Sequence, residues 1–186
     1  MSHGSTVSIE VYRPSEDKYL TFEVERKTIE IPMVTSKMLD NNIGYVAVYE
    51  FEETTSEQFN QAIDELTAQG MKGLIIDLRD NPGGLVNSAT AILDRILSKD
   101  QLLVYTVDKN GKKQEEYTED DETINVPISV LINGNSASAS EIVSGCLQDY
   151  GKAKLVGTTS FGKGIVQYVL PLGDGSAIKL TSAKDY

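Results

Sequence analysis

Three serines and a glutamate crowd residues 133–141, Asn-Gly-Asn-Ser-Ala-Ser-Ala-Ser-Glu, where an apolar run passes into a helical pattern. A serine at such a junction meets the unpaired amide groups of the helix's first turn, a setting that favours an anion. Ser138 with Glu141 also fits the Ser-x-x-Glu capping box, which needs no catalysis. A second centre is Lys163, set between Gly162 and Gly164 ahead of Ile165-Val166-Gln167. Flanking glycines allow a lysine close to other backbone. Enclosure lowers its pKa from an ordinary value of about 10.4, so that a neutral amine can take a proton from a serine hydroxyl near pH 7. The third stretch, Asp77-Leu78-Arg79-Asp80-Asn81-Pro82-Gly83-Gly84, leaves an apolar run through a proline and two glycines. It suits either an ordinary strand-to-helix turn or a loop that aims backbone amides at a ligand. Asp77 and Arg79 read as structural, paired with each other or bracing the loop.

Composition removes several rival chemistries. His3 is the only histidine and lies in the opening Met-Ser-His-Gly-Ser, which reads as a cloning remnant, so Ser-His-Asp, Cys-His and histidine-rich zinc sites are disfavoured. Cys146 is the only cysteine, which excludes an internal disulfide and any multi-cysteine metal site. It falls on the apolar side of a helix with Ile142 and Val143 and reads as a small core residue. With 17 basic against 28 acidic side chains the net charge is −11, which disfavours nucleic acid and anionic membrane surfaces as partners. The acidic run at residues 115–122 reads as a solvated hairpin or loop. No stretch approaches the length of a membrane span.

Gly157 to Lys163 fits seven places of the phosphate-binding loop G-x-x-x-x-G-K-[ST], but Gly164 stands where the magnesium-binding hydroxyl belongs, and a strand pattern follows where a helix is required. A G-x-S-x-G esterase elbow fails because residues 134–138 lack the final glycine.

The elements that must position these residues follow from periodicity. Residues 6–12 and 19–25 alternate around a turn and predict a β-hairpin; residues 28–32 predict a linking strand ending at Pro32. A strand at 44–51, an amphipathic helix at 55–69 and an apolar strand at 72–78, buried on both faces, make a βαβ unit. A helix at 85–97, a hairpin at 101–107 and 113–117, a strand at 126–132 and a helix at 138–149 come next. Short strands at 154–156, 164–170 and 176–180 close the chain. The class is α/β with mixed strand pairing.

At this point the residues carry a resemblance. The run SASASEIVSGCLQDYGKAKLVGTTSFGKGIVQ, residues 136–167, together with IGYVAVYEF and GLIIDLRDNPGGLV upstream, is similar to the active-site region of the C-terminal processing, or tail-specific, serine proteases. The likeness extends over most of residues 29–186. It implies a nucleophilic serine 25 positions before a general-base lysine, which selects Ser138 and Lys163 over Ser136 or Ser140. It further implies Gln167 as the residue that orients the amine, from the same strand and the same sheet face. The backbone amides of Ala139 and Gly84, with Gly83 as the fallback, are implied as the oxyanion hole.

The same resemblance implies a mixed sheet flanked by helices, as in Clp protease subunits and enoyl-CoA hydratases. Residues 1–26 then stand as the end of a PDZ domain and a connecting hairpin, with 1–5 the cloning remnant, and residues 27–186 as the peptidase core, continued in the family beyond Tyr186. The expected function is endopeptidase cleavage of polypeptides near their free C-termini, bound by strand addition, through an acyl-enzyme and without metal or organic cofactor. A homo-oligomer is compatible with it, and the compartment implied is extracytoplasmic. The alternatives are a catalytically silent peptide-binding module on the same fold and, more distantly, the nucleotide hydrolase suggested by the phosphate-loop match.

Overall fold

The computed structural model describes residues 4–27, 31–121 and 123–185. The chain divides into two compact units, Met1–Pro32 and Met33–Tyr186. In the first, β1 (Thr6–Arg13) and β2 (Lys18–Glu25) pair antiparallel, from Thr6 opposite Glu25 to Arg13 opposite Lys18. A single 3-10 turn, Pro14–Glu16, joins them, with Asp17 in left-handed backbone after it. The expected strand at 28–32 falls largely on residues 28–30, outside those described.

The second unit follows its apolar periodicity closely. The order is β3 (Val34–Leu39), β4 (Ile43–Val48), α1 (Thr55–Ala68), β5 (Gly73–Asp77), α2 (Val86–Ile96), β6 (Leu102–Asp108), β7 (Lys113–Tyr117), β8 (Ile128–Ile132), α3 (Ala139–Asp149), β9 (Ala153–Gly157), β10 (Val166–Pro171) and β11 (Ala177–Asp185). There are two sheets here, where a single mixed sheet was expected. Five strands in the order β3-β4-β5-β8-β9 form the main one, antiparallel only at β3 and parallel from β4 onward. Four more, β10-β11-β6-β7, pair antiparallel in the second. The sequence reading missed β3, because Thr35, Ser36 and Lys37 are exposed on an edge strand and leave little alternation to see.

Each parallel crossover in the main sheet steps the same way, β4 to β5 to β8 to β9. Right-handed crossovers that all step one way set their helices on one face. Burial agrees with that arrangement. Leu74, Ile76 and Leu78 join one core cluster with Phe59, Ile63, Ile92, Leu93 and Leu147 from the three helices, whereas Ile75 between them is only half-buried. Burial on both faces was expected for residues 72–78 and largely holds, since Gly73 and Asp77 on the opposite face are buried and Ile75 alone among residues 73–78 is half-buried.

Uniform stepping has a second consequence. The segments leaving the carboxyl ends of β4, β5, β8 and β9 emerge side by side on one edge, and they carry Phe51, Asn81–Gly84, Ser136–Ser138 and Lys163. In α/β sheets this edge is where ligands bind.

Candidate active site

Asn81 holds three of these segments together and is completely buried. Its Nδ2 donates to the Val48 carbonyl at the end of β4 (2.8 Å), its Oδ1 accepts the Gly83 N–H (2.9 Å), and its own carbonyl accepts Ala137 N–H and Ser140 Oγ, each at 3.1 Å. Asp80 adds a second tie, its carboxylate accepting the side-chain amides of Asn133 (3.0 Å) and Asn135 (2.8 Å). Glycine at 83 is required by contact as well as by its φ of +103°. A Cβ there would lie 2.6 Å from Ala137 O, 2.7 Å from Ser138 Cβ and 3.0 Å from Ala139 N.

The three serines separate cleanly. Ser136 and Ser140 are fully buried; the Ser136 hydroxyl donates to Leu78 O (2.7 Å) and accepts Asn133 N–H (3.0 Å), and Ser140 bonds to Asn81 O. Both are packing groups of the loop. Ser138 is part-exposed and is the N-cap of α3 with φ 54° and ψ −115°, a conformation costly for any residue with a side chain, by about 1–3 kcal/mol. Beside it, Ala139 N–H opens the helix, where no intrahelical partner exists for it. Gly84 is bridged to Phe51 in parallel fashion through Gly83 O and Leu85 N (2.9 and 2.6 Å), which turns its own N–H away from that strand. Gly83 N–H is already bonded to Asn81, so of the two glycines only Gly84 has an amide without a partner among the described residues.

Lys163 precedes β10 rather than lying in it, and its side chain is half-buried. The expected same-face relation of Lys163 and Gln167 along one strand therefore does not hold, because regular pairing begins only at Val166 and a bulge follows between Val166 and Gln167. Gln167 Nε2 donates to Thr181 Oγ1 across the sheet (3.2 Å). No carboxylate among the described residues lies within ion-pair distance of the Lys163 ammonium.

Glu141 does more than the capping box announced. Its Oε2 accepts the N–H of Ser138 (2.8 Å) and of Lys163 (2.9 Å), and its Oε1 accepts Gly162 N–H (2.6 Å) and Ser160 Oγ (2.7 Å). Burial alone would push this carboxyl up, but the bonds from Ser160 and the three amides outweigh burial and hold it below the usual carboxylate range. Spacing revealed only the local half of this arrangement; nothing in the sequence signalled the reach to residues 160–163. A cavity of about 540 Å³ opens beside Lys163, between α3 and β6, with Ile142, Cys146 and Leu103 among its walls. Burial pushes the Cys146 thiol up to about 12, so it stays neutral.

Asp77 and Arg79 do pair, Arg79 Nη2 donating at 2.6 Å and Nε at 2.9 Å, while Tyr45 Oη adds a third donor at 2.6 Å. Burial pushes the Asp77 carboxyl up, and these donors overcome it and leave it below its ordinary value. After Lys163 the chain enters β10 and no helix begins there, which removes the phosphate-loop reading.

Comparison with known proteins places these features in a family. Residues 42–186 match the model of peptidase family S41. The chain is 41% identical over 186 residues to the carboxy-terminal processing protease CtpB of Bacillus subtilis, and 38% identical over 192 residues to the carboxy-terminal-processing protease of Bartonella bacilliformis. These alignments take in 97% and 98% of this chain but only 38% and 43% of the two relatives, so the chain spans about two fifths of their length. Among solved structures, the photosystem II D1 C-terminal processing protease superposes with a TM-score of 0.74 at 28% identity, over 98% of this chain and 51% of that one.

Proposed function

The chain belongs to peptidase family S41, and from that premise we propose that it is the catalytic core of a serine endopeptidase that cleaves polypeptides near a free C-terminus. The observation that carries the proposal is Ser138: a non-glycine residue at positive φ, on the strand-to-helix turn, and the one part-exposed hydroxyl of the three. Strain of this kind persists where surrounding structure enforces it, and the Asn81 network supplies that enforcement.

In the proposed reaction neutral Lys163 takes the Ser138 proton as Oγ bonds to the peptide carbonyl carbon. The amides of Ala139 and Gly84, both without a hydrogen-bond partner among the described residues, hold the oxyanion. Lys163 then returns the proton to the leaving amine as the C–N bond breaks, and water hydrolyses the acyl-enzyme on Ser138. Gln167 bonds Thr181 through its side-chain amide in this structure, and its role as the group that orients the amine rests on the family resemblance alone. β9 and β10, the strands on either side of the Lys163 loop, are both sheet edges and support substrate binding by strand addition.

The test is cleavage of one peptide with its C-terminus free or amidated. The free form is expected to be cut faster, with Lys163→Ala slowing turnover by about 10²- to 10⁴-fold and Lys163→Arg failing as well, since a guanidinium stays protonated. Full activity in Lys163→Ala contradicts the Ser/Lys assignment. Peptide binding without cleavage by the unaltered chain identifies a silent module.

A further inference from the structure

Two segments meet at one carboxylate. Glu141 sits on the first turn of α3 and bonds the amide of Ser138, as a helix cap would, but a cap accounts for only one of its four contacts. The other three run to Ser160 Oγ and to the N–H groups of Gly162 and Lys163, some twenty residues along the chain. Residues 158–164 have no helix or strand of their own; besides the bonds to Glu141, Phe161 N–H donates to Ser136 O at 3.0 Å and Thr158 N–H to Ile132 O at 3.3 Å. One oxygen, Oε2, thus accepts the main-chain amide of both Ser138 and Lys163.

We infer that Glu141 is a positioning residue: its carboxylate clasps the Lys163 loop to the Ser138 turn and thereby sets the distance between the two reacting side chains. The inference rests on the Ser138/Lys163 reading for its catalytic consequence, though not for the clasp itself. The chemistry of the group explains why glutamate serves here. An ionised carboxylate is acceptor-only and can face four donors at once, whereas a carboxamide of the same shape presents an NH₂ on one side and would set it against the Gly162 N–H in one orientation and against both the Ser138 and Lys163 N–H groups in the other. A shorter acid keeps the charge yet cannot span both segments from the same Cα.

The experiment compares the whole chain with Glu141→Gln, Glu141→Asp and Ser160→Ala by two readouts. The first is amide hydrogen exchange, which needs no activity. In Glu141→Gln the amides of Gly162 and Lys163 are expected to exchange at least ~10-fold faster while Val143 and Leu147 in the body of α3 keep their protection. The second is the rate of Ser138 acylation by a fluorophosphonate. It is expected to fall by about 10- to 100-fold in Glu141→Gln with the fold retained, since a misplacement of about 1 Å between reacting groups costs up to that much. Glu141→Asp should recover part of it, and Ser160→Ala, which removes a single donor, should lose only a few-fold. Unchanged exchange at Gly162 and Lys163 in Glu141→Gln overturns the clasp. So does a loss of protection spread evenly through α3, which marks a helix cap and nothing more. Failure of the Ser/Lys reading looks different: the loop amides are released as expected, yet Lys163→Ala still acylates at the unaltered rate.

Discussion

Ser136, Ser138 and Ser140 alternate within five residues, and what distinguishes them is where their hydroxyls go. Ser136 donates to Leu78 O and accepts from Asn133 N, and Ser140 donates to Asn81 O, all in the interior. Replacing Ser136 by alanine is therefore expected to leave Ser138 in place but to lower stability by about 1–3 kcal/mol, because the part-buried Asn133 amide loses its partner and the buried Leu78 carbonyl keeps only Asn81 N–H. Denaturant unfolding checks it, and a drop of activity with stability unchanged would contradict the structural role. Spacing alone could not make this separation, since all three serines fit a strand-to-helix junction. The register of the family resemblance chose Ser138. The bonds that bury the other two run to residues nearly sixty positions away, beyond the reach of local pattern.

At the scale of elements, the site depends on loops that leave neighbouring parallel strands and touch. Gly83 makes the contact with the Ser138 turn, and Gly83→Ala would drive a methyl group into Ala137 O and Ser138 Cβ on a backbone already at positive φ. The expected outcome is at least ~10²-fold loss of peptidase activity with far-UV circular dichroism unchanged, because the clash sits at the loop tip and not in the helix-covered core. Retention of full activity would mean that the two loops are not held together as described. The helices and parallel strands were legible from the sequence, since Phe59, Ile63 and Leu66 mark one helix face and GLIID a buried strand. The edge strand β3 was not, being half polar, nor was the break between Lys163 and β10. Glycines at 162 and 164 do not say whether a strand starts before or after them. Here a tertiary bond from Glu141 to the Lys163 amide decides it.

For the molecule as a whole, the acidic composition, with 28 acidic side chains among 186 residues, hides two carboxylates that work against their own burial. Glu141 and Asp77 both have their pKa held below the ordinary value in the folded chain. A depressed folded pKa contributes stability that is fully present above the unfolded value, about 4.3 for Glu and 3.9 for Asp, and is lost as pH falls through the folded value. The thermal midpoint is accordingly expected to hold between pH 7 and about 5 and to fall below about 4. The gap in midpoint between the unaltered chain and Glu141→Gln should close over the same range, because a protonated glutamate resembles glutamine. A gap that persists at pH 3 would mean that charge is not what Glu141 contributes.

The central claim, that a lysine-activated Ser138 is the nucleophile, meets its most direct test in one measurement: fluorophosphonate labelling of the intact chain at pH 8, followed by mass spectrometry of the modified peptide. The account predicts a single adduct on Ser138, absent in Ser138→Ala and slowed by about 10²-fold or more in Lys163→Ala. An adduct on Ser136 or Ser140, or equal labelling without Lys163, would contradict it.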